Sequence, residues 1–192
     1  RFKGINFATL ELNQGFNDAF GAMGNAASVV NLGADVRPSR QGPGQQYAPG
    51  KFSKLFASGS RLQTLWPNAS LVVRAELQAT SDLLVPMEQY SVGGPDNVRA
   101  FPQAQFLFDN AFFFSVEYIH NIPFINDVLA FGNRTWGELV QISIFYDHAV
   151  GHLNDPLAVS PSGNINFKGA GIQMRFTLPG ALESRLMFAK EV

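Results

Sequence analysis

The chain contains no cysteine, which excludes a disulfide framework, a thiol nucleophile and a cysteine metal site. Charge is scarce as well. Asp, Glu, Lys and Arg make up 15% of the 192 residues, against roughly 25% in soluble domains. The signs nearly cancel, with 14 Lys+Arg against 15 Asp+Glu, so no basic excess points to nucleic acid. Long apolar runs are missing too. The longest charge-free stretch, 19–34, is interrupted by Gly21, Gly24, Asn25, Asn31 and Gly33. It falls short of the ~20 apolar residues that a helical membrane span needs. No signal peptide opens the chain; Arg1-Phe2-Lys3 runs straight into alternating sequence and reads as the middle of a longer protein. What is abundant is phenylalanine and glycine, eighteen of each.

The hydrophobic period is two. In SLVVRAELQAT, Ser70, Val72, Arg74, Glu76, Gln78 and Thr80 share one face, and Leu71, Val73, Ala75, Leu77 and Ala79 share the other. Such alternation marks a strand with one apolar and one polar side. The pattern recurs around residues 8–13, 111–121, 139–149, 168–178 and 185–191. In these segments Phe112, Phe114, Val116 and Tyr118 oppose Ser115 and Glu117, and Val140, Ile142, Ile144 and Tyr146 oppose Gln141, Ser143 and Asp147. Arg175 and Arg185 fall on polar faces in the same way. Residues 52–65 read as a further strand whose alternation is too weak to assign faces.

The expectation is an all-β chain with about seven antiparallel strands of 9 to 14 residues. Soluble strands average ~5–6 residues, whereas a membrane-crossing strand needs ~9–11. Long connections near 14–50, 81–110 and 152–165 alternate with short turns at 66–68 and 179–182, with 122–137 intermediate. Long loops at one end and tight turns at the other are the pattern of an outer-membrane barrel. A soluble β-sandwich alternates as well, with its apolar faces turned inward, and parity alone does not say which face is outside. Strand length, loop asymmetry and Phe/Tyr content favour the membrane. Seven strands do not close a bacterial barrel, whose strand number is even and at least eight. Residues 1–192 are therefore expected to form part of a larger barrel.

Within GGPDNVRAF, Arg99 sits between apolar neighbours after a glycine-rich turn. In IFYDHA, Asp147 shares the polar face with Phe145 and has no adjacent cation in sequence. A long loop folding inward would bring the arginine fork to that carboxylate, a bidentate match.

These two stretches resemble signatures of the Omp85 superfamily, closest to the two-partner secretion transporters (haemolysin-activator/FhaC-like). EQYSVGGPDNVRAFPQ is similar to the family's glycine pair followed by Val-Arg-Gly-Tyr/Phe; Val98, Arg99 and Phe101 match, and Ala100 replaces a glycine. Phe145 and Asp147 match the family's Phe-x-Asp-x-Gly, with Ala149 replacing the glycine. The resemblance covers about 50–192 well and 1–50 by position. It implies a barrel of about sixteen strands, of which these are the ninth to fifteenth, with POTRA domains and the first barrel half lying before them. It further implies a lock between Arg99 and Asp147 inside the lumen. An arginine facing lipid at the midplane would cost ~2–4 kcal/mol, so the polar face that carries Arg74, Glu76, Glu117, Arg175 and Arg185 is expected to line that lumen. The loop tip is expected to differ in shape because alanine tolerates positive φ poorly.

Other constellations carry less. His120, His148 and His152 lie on different strands or at a strand end, and nothing in their spacing gathers three metal ligands. Ser143 and His148 have opposite parity, so they form no catalytic pair within one strand. Gly169-Ala-Gly lacks the third glycine of a dinucleotide loop. Asn68 and Asn133 begin sequon-like triplets that read as turns.

The reading is a non-enzymatic translocation pore in the bacterial outer membrane, with no catalytic residue, metal or cofactor. Its partners would be a secreted exoprotein and outer-membrane lipid or lipopolysaccharide, with no nucleic acid, and its barrel would be monomeric. An Omp85 assembly factor is the first alternative, since both classes share this loop. A soluble β-sandwich binding module is the second.

Overall fold

The computed structural model describes residues 3–17, 48–156 and 162–192. Most of the expected long connection at 14–50, and part of the one at 152–165, lies outside the described residues. The elements in chain order are β1 (Gly4–Gln14), β2 (Ser53–Trp66), β3 (Ala69–Ala79), β4 (Tyr90–Val92), β5 (Phe106–Phe108), β6 (Asn110–Asn121), a single-turn helix α1 (Trp136–Leu139), β7 (Val140–His152), β8 (Ile165–Leu178) and β9 (Leu182–Glu191). Seven of the strands form one antiparallel sheet in the order β1-β2-β3-β6-β7-β8-β9, and β4 pairs with β5 in a small separate sheet. The fold is all-β and antiparallel, and each of the seven long strands coincides with an alternating segment of the sequence or with 52–65.

The register sorts every side chain onto one of two faces. Asp147 stands opposite Ser115 on β6 and Gly169 on β8, and Ser115 in turn stands opposite Arg74 on β3. All of these belong to one face, called the loop face because the 81–109 connection folds over it. The other face is bare. Leu10, Ile144 and Phe188 are 70%, 59% and 63% exposed there, and no second sheet covers it among the described residues. The sandwich arrangement needs these apolar stripes to be covered by another sheet. The weak alternation of β2 is also resolved. Phe56, Ser58 and Ser60 pair with Gln78, Glu76 and Arg74 and so belong to the loop face, whereas Leu55, Ala57 and Arg61 lie on the bare one.

The packed core lies between loop and sheet at the long-connection end. Tyr90, Val92, Val98 and Phe108 from the loop meet Ala111, Phe113, Ala149 and Phe167 from the strands. The sequence pattern does not reveal β4 and β5, because three-residue strands are too short for a period to register. Leu139, expected in the following strand, instead ends α1, where Glu138 accepts a hydrogen bond from the Thr135 N–H at 3.1 Å.

One register row runs Asn6, Arg61, Val73, Val116, Tyr146, Ala170 and Lys190 across the bare face. On β1 the apolar residues Ala8, Leu10 and Leu12 lie on the long-connection side of this row. On β9 the apolar residues Leu182, Leu186 and Phe188 lie on its short-turn side. The apolar belt therefore crosses the sheet obliquely.

Gly151 gives a test of the loop–sheet packing. A Cβ at this position would run into the ring of Phe108, whereas one at Gly59 would meet nothing within 4 Å. Gly151→Ala is expected to destabilise by about 1–3 kcal/mol through overpacking, and Gly59→Ala to stay within about 0.5 kcal/mol, as read from urea unfolding midpoints.

Candidate functional site

The 81–109 connection places one arginine against the middle of the sheet. Gly93 and Gly94 turn the chain at φ 103° and 108°, values that favour glycine. The Gly94 N–H bonds the Phe101 carbonyl at 3.0 Å, and the Phe101 N–H bonds the Val98 carbonyl at 3.1 Å. The Asn97 side chain accepts from the Val98 N–H at 2.8 Å. This closed loop drives Val98 into the core and projects Arg99 onto β6 and β7.

Arg99 Nε and Nη2 donate to the two oxygens of Asp147, each at 2.8 Å, and the Arg99 backbone N–H adds a third bond to Oδ2 at 3.1 Å. Nη1 donates to Glu117 Oε2 at 2.6 Å and Nη2 to Ser115 Oγ at 3.3 Å. Ser115 in turn donates to Asp147 Oδ1 at 2.7 Å, and Ser143 to Glu117 Oε1 at 2.6 Å. The guanidinium carbon lies 3.4 Å from the centroid of the Phe145 ring, a cation–π contact. Asp147 is fully buried and Arg99 is 7% exposed. Burial alone would ease the proton off Arg99. Hydrogen bonds and charge from Asp147 and Glu117 outweigh it, and the pKa is held above the ordinary arginine value.

Two glycines make the arrangement possible. Gly171 stands across from Phe145, and a Cβ there would run into the Phe188 carbonyl on β9 and come 2.6 Å from the ring's Cζ; Gly169 stands across from Asp147, and a Cβ there would come 2.8 Å from the Ala100 methyl. The Gly-Ala-Gly of β8 is thus a pair of gaps under the loop. Ala100 fits because its neighbour has no side chain. Among the described residues, neither Ala100 nor Ala149 adopts a positive φ, so the expected distortion of the loop tip by alanine does not occur at these positions.

Phe101 packs edge-on against Phe167, with centroids 5.4 Å apart. Arg74 reaches over the Phe113 ring at 5.6 Å and donates to the Asp96 carbonyl at 3.2 Å. Glu76 accepts from the Tyr90 hydroxyl at 2.7 Å, and that hydroxyl accepts from Asn97 at 2.7 Å. Arg175 approaches Glu183 at 3.8 Å and Arg185 approaches Asp96 at 3.7 Å. Both pairs are solvent-exposed and contribute little. Arg74, Glu76, Glu117, Arg175 and Arg185 all share the loop face, but only Glu117 joins the Arg99 cluster. His120 and His148 lie on the bare face.

Sequence reasoning missed a second anchor. Asp109, fully buried, accepts from the Leu84 N–H, the Gln89 side chain and the Asn154 N–H at 3.2, 3.0 and 2.7 Å. Asn154 also donates to the carbonyls of Thr80 and Asp82. The alternation of Phe108, Asn110 and Phe112 around Asp109 carried no sign of this hub. Lys54, 2.8 Å from Glu88, forms a third tie.

The site is therefore a long loop clamped to one face of a long-stranded antiparallel sheet. No protein-family model and no curated protein matches the chain. Among solved structures, CdiB from Escherichia coli is similar in fold, with a TM-score of 0.65 and 16% identity over 98% of this chain and 30% of that chain. The chain thus spans less than a third of the length of the CdiB chain it matches.

Removing either partner of the buried pair leaves an uncompensated charge, so Arg99→Met and Asp147→Leu are each expected to cost about 3–5 kcal/mol. The double variant should lose less than the sum, as read from equilibrium unfolding. Tyr90 supplies a pH test. Burial, then the charge and hydrogen bond of Glu76, raise its phenol above the ordinary value. Its contribution is full below about pH 10 and declines as pH rises toward the higher folded value. The stability gap between wild type and Tyr90→Phe should therefore narrow above about pH 10.

Proposed function

We propose that the chain is the C-terminal part of an outer-membrane β-barrel pore of the two-partner secretion type, which passes a partner exoprotein from periplasm to cell surface. The contact that carries this reading is the Arg99 fork on Asp147, because it joins the two signatures through which the sequence resembles that family. The fold shared with CdiB supports the same reading.

The bare face supports membrane residence. Between β1 and β9 the middle of the apolar belt shifts by about nine residues along the strands, ~30 Å at ~3.3 Å per residue. The six strand spacings between them total ~29 Å at ~4.8 Å each. A horizontal belt then implies strands tilted by about 45°, at the upper end of the ~35–45° of membrane barrels. A sheet facing lipid has to tilt its strands this way, whereas a sheet buried against protein has no reason to keep such a slope. Trp66, Tyr118 and His120 cluster on the bare face at the short-turn end, with centroids 6.3 and 6.1 Å apart, where an aromatic girdle belongs.

In this mechanism the loop face lines a polar conduit. Arg175 and Arg185, with side chains 38% exposed on this face, offer hydrogen bonds to an extended polypeptide, while the Arg99 clamp holds the loop against the wall and orders the strands behind it. No covalent step is required, and folding of the cargo outside would bias its movement outward. The exoprotein, the outer-membrane location and the monomeric barrel all belong to this proposal.

The test is charge exchange with secretion as readout. Arg99→Glu sets an acid against Asp147 and Glu117 and should cut export of the exoprotein at least tenfold. Arg99→Glu with Asp147→Arg should restore part of it. A double exchange that recovers neither export nor barrel stability would show that the clamp is not what holds the loop.

A further inference from the structure

The bare face is not uniformly apolar. At the long-connection end of β7–β9 it carries His148, Lys168 and Lys190. Lys168 stands directly across from His148, and Lys190 directly across from Ala170, two residues further along β8. Such positions put the two lysines at diagonal spacing, ~7–8 Å apart, and His148 at ~5 Å from Lys168. Both lysines are exposed, and neither ammonium has an ion pair or hydrogen bond among the described residues. Glu191, next to Lys190, points to the opposite face by strand alternation.

Directly below the lysines the same face is grooved. A cavity of about 440 Å³ runs along β6–β9, lined by Tyr118, Ile144, Ile172, Met174, Leu186 and Phe188. Its upper row, Ile144–Ile172–Phe188, is the register row next to the one that holds Lys190. Two unpaired lysines, beside His148 whose Nε2 lies 3.4 Å from the Asn166 Oδ1, thus sit at the head of an apolar groove.

We propose that this is a binding site for one phosphorylated lipid of the outer leaflet, with its phosphate between Lys168, Lys190 and His148 and an acyl chain in the groove. Two unpaired ammonium groups this close repel each other, and a phosphate between them removes that repulsion. The groove excludes water-loving occupants. A second copy of the chain would bring the same positive cluster and be repelled. The side of the sheet is consistent, because the cluster lies at the end of the long connections, which face the cell surface in such barrels. The inference rests on the membrane reading proposed above.

The test uses the full-length protein purified in mild detergent, with native mass spectrometry and with bis-phosphorylated lipid A as probe. Wild type should retain the lipid, and Lys168→Gln with Lys190→Gln should weaken binding at least tenfold. Lys168→Arg with Lys190→Arg should keep it, and dephosphorylated lipid A should bind wild type no better than it binds the Gln variant. A heat-dependent shift in gel mobility checks that each variant is folded. Equal lipid binding by wild type and a folded Gln variant would overturn the site. So would displacement of the probe by millimolar inorganic phosphate, which would identify a free-anion site, or a dimer mass abolished by the Gln changes, which would identify a second copy. A protein that stays soluble without detergent and takes up no lipid of any kind would instead overturn the membrane reading itself.

Discussion

A guanidinium taken out of water needs fixed negative partners, or the structure around it does not hold. Arg99 meets this demand with two carboxylates, a hydroxyl and an aromatic face. Much of the molecule follows from that one burial. Asp147 has to sit on a strand with the right parity, and Glu117 has to lie on the neighbouring strand within reach of the second nitrogen. Gly171 and Gly169 leave room for the Phe145 ring and for Ala100. The closed turn from Gly94 to Phe101 fixes the entry angle. Hydrogen bonds and charge from Asp147 and Glu117 outweigh the burial of Arg99 and keep it charged, with the loop in place.

The clamp also divides the labour of the sheet. One face is occupied by the loop and by polar side chains bonded to it. The other is left to an environment that tolerates Leu10, Ile144 and Phe188 largely uncovered. The oblique apolar belt and the aromatic cluster at the short-turn end suit a tilted sheet in a bilayer. Asp109 and Lys54 secure the far ends of the loop, so the Arg99 tip is held between anchors and does not hang from a single bond.

Most of the strands were legible because alternation with period two is a local property, visible in Leu71 through Ala79 without any knowledge of neighbours. β2 was harder. Ser58, Gly59 and Ser60 are small on both faces, and Arg61 lies on the side otherwise apolar, so its pattern blurs. β4 and β5 were invisible because three residues show no period. The pairing of Arg99 with Asp147 was suggested by an orphan cation and an orphan anion. Glu117 was placed on the correct face, but its share in the cluster depends on a distance that no sequence spacing encodes. The lysines of the bare face were overlooked because Lys168 and Lys190 sit at the margins of their strands, beyond the apolar runs that define the face.

Sequence by itself determined which segments are the long strands, which side chains share a face on all of them but β2, and that one arginine and one aspartate were without local partners, because each of these follows from backbone periodicity and charge within a few residues. The tertiary structure decided which carboxylates the arginine meets, which glycines make room for it, where Asp109 gathers the loop ends, and how the apolar belt slopes across the sheet. Those outcomes rest on inter-strand register and on the docking of the loop, which join residues as far apart in the chain as Arg99 and Asp147, or Thr80 and Asn154. Register is set by the packing of the whole sheet and leaves no imprint on any short stretch of sequence.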